Sequence, residues 1–101
     1  MKMLMIVFRE SLEEDIRQLL QELGVRAFTE MHDITGVGEA GAAFASLSWP
    51  AHNNMVLAAL PEADAEVVVA ALRRFRDQQI KNQGGAKIPL KVFALPCELV
   101  V

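Results

Sequence analysis

Two runs, MLMIVF at Met3–Phe8 and MVLAAL at Met55–Leu60, are apolar at every position. A strand that faces water on one side alternates polar with apolar residues, so a run with no polar member belongs to a strand covered on both faces, inside a sheet. Each run is too short to cross a bilayer, and MLMIVF lacks the small-residue cleavage site of a secretory leader. The chain therefore has to build a sheet around these two strands.

The segments after each run decide how that sheet is covered. After the first comes SLEEDIRQLLQELG, with Leu12, Ile16, Leu19, Leu20 and Leu23 on one helical face. Ser11 and Glu14 have the spacing of a capping box, and Gly24 suits the left-handed residue that ends a helix. VRAFTEMH then alternates, with Val25, Ala27, Thr29 and Met31 on one side and Arg26, Phe28, Glu30 and His32 on the other. That is a strand with one more polar face, suited to a sheet edge. After the second run, Pro61 closes the strand and Asp64 is a candidate N-cap. Val67, Val68, Ala71, Leu72 and Phe75 make the buried stripe of the second helix, before NQGG and a last strand in IPLKVFAL.

The order is βαβ, a long loop, βαβ. Two such halves with right-handed crossovers build an α+β, ferredoxin-like βαββαβ sandwich: a four-stranded antiparallel sheet with two helices on one face, in a single domain over residues 1–101. Its central strands are the first and third, which are the two wholly apolar ones. Two helices cover only one face of such a sheet. With 52% of residues hydrophobic, the uncovered face is expected to pack against other subunits, at about 25 cal/mol per Å² of apolar surface buried. By analogy with regulatory proteins of this fold, the expected assembly is a homotrimer.

Composition removes several classes of function. The net charge of −3 and scattered basic residues argue against nucleic acid as the main partner. The single cysteine, Cys97, excludes an internal disulfide and fits a cytoplasmic protein. No nucleophile–base or acid–base pair is apparent, so a non-enzymatic role is expected. The segment with least structural signal, a loop at about residues 34–53, is several times the usual connection length of about 4–6 residues. Its length and its Ala, Gly and Ser content fit recognition. His32 and His52 lie at its two feet, where antiparallel neighbours could bring the imidazoles together as metal ligands, with Glu30, Asp33, Cys97 or a second subunit completing the site.

TGVG at Thr35–Gly38 opening the loop, the turn QGGAK before the last strand, and VFALPCE at its end resemble the PII-like signalling proteins. The resemblance implies a trimeric cytoplasmic sensor that binds a small effector in clefts between subunits. It also implies that the loop is presented to a partner, commonly a membrane transporter or an enzyme. Carried over by position, Thr35, Gly36, Val37 and Gly38 begin the effector loop, and Gly84, Gly85 and Lys87 fall at the phosphate-contacting turn. Nucleotide-binding members follow the first glycines with a basic or amide residue, where this chain has Glu39, Ala40 and Gly41. They also carry arginines after the last strand, and residues 96–101 hold none. The effector is thus left unassigned. An alternative on the same core is a CutA-like divalent-metal-binding tolerance protein.

Overall fold

A computed structural model describes residues 1–35 and 52–101. The elements run β1 (Lys2–Arg9), a 3₁₀ turn at Glu10–Leu12, α1 (Glu13–Glu22), β2 (Thr29–Ile34), β3 (Asn53–Leu60), α2 (Glu62–Asn82) and β4 (Leu90–Pro96). The sheet has the order β2-β3-β1-β4 with every neighbour antiparallel. The two wholly apolar runs are its central strands, as their composition requires.

Ile6 pairs with Val56 on one side and Val92 on the other, so alternate residues of three strands share a face. Leu4, Ile6, Phe8 and Val56 from that face pack with Ile16 and Leu20 of α1 and with Ala65, Val68 and Leu72 of α2 in one buried core. Met3, Met5, Val7, Met55 and Leu57 line the opposite face, where β4 adds Phe93 and Leu95 beside Met5 and Met3. The helices do not cover this second face. Phe93 is 52% exposed and Leu95 42%.

Local details differ from the sequence expectation, each for a physical reason. The Ser11–Glu14 capping box does not form, because the chain leaves β1 through a 3₁₀ turn and α1 starts at Glu13 with no side-chain cap. The Glu10 N–H donates to the His52 carbonyl at 2.9 Å, which ties this turn to the entry of β3. Helix α2 starts at Glu62 after Pro61, ahead of Asp64, since proline's fixed φ suits a helix entry. Val67 is 56% exposed; Ala65 takes the place in the buried stripe expected of it. Strand β2 begins at Thr29, and Val25 instead enters the core, its N–H bonded to the Leu20 carbonyl at 2.9 Å. Gly24 ends α1 with φ +77°, as its sequence position predicts.

Candidate functional site

The root of the long loop is built by β2, the start of β3 and the first turn of α1. Met31 pairs with Met55, whereas Ile34 pairs with Asn53, so β2 carries one extra residue between them. That residue is Asp33, whose φ is +55°, the left-handed conformation a β-bulge often demands. Its N–H donates to Asn54 Oδ1 at 3.3 Å. Asn54 is buried, and this contact carries its polar group into the sheet at the bulge.

Up to the bulge, β2 keeps strict alternation. Thr29 and Met31 face the same side as Leu57 and Met55, and Glu30 sits opposite Val56, so Glu30 and His32 project on the side that holds the helices. There they meet the first turn of α1. His32 Nδ1 lies 3.3 Å from Glu13 Oε1, and Nε2 lies 3.1 Å from Glu30 Oε2. Arg17, one turn beyond Glu13, donates to Glu13 at 3.0 Å, to Glu14 at 3.3 Å and to Glu30 at 3.5 Å. The hydrogen bond to Glu30, followed by the charges of Glu30, Glu13 and Glu14, holds the Arg17 guanidinium above its already high ordinary pKa.

The other histidine has a different partner. His52 Nδ1 lies 3.3 Å from Asp33 Oδ1, with both side chains more than half exposed. The two histidines therefore face different carboxylates, His32 those of Glu13 and Glu30 and His52 that of Asp33 at the bulge. Cys97 lies at the other end of β1: its N–H reaches the Met1 carbonyl and Pro96 pairs with Lys2, whereas His52 is bonded beside Arg9. Eight strand residues separate those ends by roughly 23 Å at about 3.3 Å per step. Cys97 cannot share a metal with either histidine of its own chain.

Of the predicted effector residues, Thr35 is exposed at the end of β2, and Gly36, Val37 and Gly38 lie outside the described residues. So does Glu39. Gly84 and Gly85 form a left-handed pair with φ +66° and +96°. Their N–H groups donate to the carbonyls of Lys81 at 3.2 Å and Ile80 at 2.8 Å, closing the C-terminus of α2. These two amides are committed to the helix end, so what the turn offers a ligand is the exposed Lys87. An open groove of about 420 Å³ runs between α2 and β4, lined by Val69, Leu72, Arg73, Arg76 and Val92 among others. It lies along the opposite edge of the sheet from β2.

The glycine turn and the loop root are parts of a fold that known proteins share. The family model described as nitrogen regulatory protein P-II matches residues 1–101. The chain belongs to the P-II family.

Among solved structures, this P-II protein is similar to CPII, a nitrogen regulatory PII-like protein from Thiomonas intermedia K12, bound to ADP, AMP and bicarbonate. The TM-score is 0.68 at 21% identity, over 93% of this chain and 82% of that one. The apo form of CPII gives 0.66 at 21% identity, over 93% and 85%. A putative PII-like signalling protein from Thermus thermophilus gives 0.52 at 21% identity, over 93% and 81%. No curated protein matches the sequence. At these identities the structures establish the common fold. No helix among the described residues of this P-II chain is long and apolar enough to cross a membrane.

Proposed function

We propose that this P-II protein is a non-enzymatic cytoplasmic sensor that assembles as a homotrimer and binds a small effector or metal ion in the clefts between subunits. Thr35, Gly36, Val37 and Gly38 at the start of the loop and Gly84, Gly85 and Lys87 at the turn after α2 are the residues assigned to the effector. The loop of residues 34–53 carries the signal to a protein partner such as a membrane transporter. The observation that carries this reading is the P-II match along the whole chain. It is supported by a fold shared with a PII-like protein that binds ADP, AMP and bicarbonate.

The geometry refines the chemistry of the turn. With the Gly84 and Gly85 amides bonded to α2, an anionic effector is met by the Lys87 ammonium, a mobile point charge, and not by a rigid cradle of N–H groups. The apolar face formed by Met3, Met5, Met55, Leu57 and Phe93 is the surface that trimer formation would bury.

A thermal-shift series with ADP, AMP, ATP and bicarbonate, on the wild type and Lys87→Ala, tests the reading. A ligand that binds only the folded state raises the Tm, with about 2.7 kcal/mol of added stability at a hundred times its Kd. A shift with an adenine nucleotide that falls in Lys87→Ala is expected. No shift with any of the four defeats the assignment of these residues to that effector class.

A further inference from the structure

Among the described residues, one cluster brings three metal-ligating side chains together: Glu13, Glu30 and His32, each with a ligand atom within 4.8 Å of the others. We propose that this triad is a binding site for a divalent transition cation of the zinc type, held within one chain at the root of the loop. It is a different set from the two histidines that the sequence suggests, and it needs neither a second subunit nor a nucleotide.

Three features carry the inference. The first is ligand chemistry. An imidazole nitrogen with two carboxylate oxygens is a donor set suited to zinc and its neighbours, and three protein ligands leave a further position for water or another ligand. The second is spacing. One His32 nitrogen and one oxygen from each glutamate lie within 4.8 Å of one another, against an edge of roughly 3.3 Å for a tetrahedron with metal–ligand bonds of about 2.0–2.1 Å. Without metal the ring divides its two nitrogens, Nδ1 toward Glu13 and Nε2 toward Glu30, and an ion would take only one of them. Closing the site asks for ring rotation about the His32 side chain, with the backbone left in place. The third is charge. Glu13, Glu14 and Glu30 surround one guanidinium, so three carboxylates against one cation leave two negative charges, the charge that a divalent ion carries.

Arg17 occupies the position of a competitor. It touches both carboxylates of the triad and also Glu14, which lies outside it. A cation entering between Glu13, Glu30 and His32 displaces Arg17 from the triad while Glu14 retains a contact with it. The site then bonds the first turn of α1 to β2, one residue before the bulge at Asp33. Metal occupancy would thereby fix the strand from which the loop departs.

Titration of the intact protein with Co²⁺, followed by its visible d–d absorption and by displacement with Zn²⁺, tests the site. One ion per chain is expected. His32→Ala and Glu30→Gln should each weaken binding by at least the 10–100-fold that loss of even an outer-shell partner costs. His52→Ala should bind as the wild type does, and Arg17→Gln more tightly, because it removes the competing cation. His32, His52 and Arg17 are about half exposed and Glu30 is partly buried, and an unchanged circular dichroism melt identifies variants that have kept the fold. The proposal is overturned if the wild type shows no saturable binding below about 1 mM. Equal affinity in His32→Ala, or loss of binding in His52→Ala or Arg17→Gln, overturns it as well.

Discussion

The open face of the sheet makes a demanding prediction through Phe93. This residue stands beside Met5, which has Leu57 on its other side, and it is 52% exposed. A phenylalanine buries about 150–250 Å², so covering the exposed half would remove roughly 100 Å² from water. At about 25 cal/mol per Å², that is about 2.5 kcal/mol per protomer, or about 7 kcal/mol for the three protomers of the proposed trimer. Each 1.4 kcal/mol is tenfold, so Phe93→Asp lowers the assembly constant about 10⁵-fold before any charge repulsion. The midpoint concentration of a three-body equilibrium moves with the square root of that constant, which gives a rise of about 300-fold. Sedimentation velocity across a dilution series measures the midpoint directly. Val67→Asp is the matched control, because Val67 is 56% exposed but lies on α2, away from this face. A Phe93→Asp protein with the wild-type midpoint, or a Val67→Asp protein that dissociates equally, would refute assembly through the sheet.

Other substitutions probe the chain itself. Leu4 is fully buried between the helices and the sheet, so Leu4→Ala should cost about 2–5 kcal/mol, read from the urea midpoint at unchanged slope. Gly85 has open space where a Cβ would sit but a φ of +96°. Gly85→Ala should therefore lose about 1–2 kcal/mol through backbone strain alone, and a neutral result in the same urea experiment would show that the turn relaxes freely.

The architecture was legible because burial on both faces leaves a composition signal. MLMIVF and MVLAAL could be placed at the centre of the sheet from their lack of polar residues, and the alternation that puts Glu30 and His32 on one side of β2 was equally readable. The capping box was not, because its failure depends on a distant contact: the Glu10 N–H bonds to the His52 carbonyl, which holds a 3₁₀ turn where Ser11 would cap a helix. That change of helix start also decides the site. With α1 beginning at Glu13, Glu13 and Arg17 face β2 while Glu14 stays largely in solvent. Glu13 and His32 lie nineteen residues apart, a pairing that no local motif announces. The sequence offered instead the symmetry of two histidines at the feet of a loop, whereas the extra residue, Asp33, meets His52 while His32 lies against Glu13 and Glu30.

Asp33 can owe its place to conformation or to charge, and three variants separate the two. Its φ of +55° lies in the left-handed region, where side chains other than Gly, Asn and Asp are strained by about 1–2 kcal/mol. Its contact with the His52 imidazole is exposed on both sides, and even a full ion pair in such a place contributes about 0–1 kcal/mol. Conformation is thus the larger effect. Asp33→Asn keeps a short polar side chain that tolerates this region, and Asp33→Gly removes the strain altogether, so both should stay within about 0.5 kcal/mol of the wild type. Asp33→Ala should lose about 1–2 kcal/mol in urea unfolding, at any salt concentration. If Asp33→Asn were as damaging as Asp33→Ala, and the loss vanished in 1 M salt, where screening acts within about 3 Å, the charge would be the reason for the residue and the bulge would be its consequence.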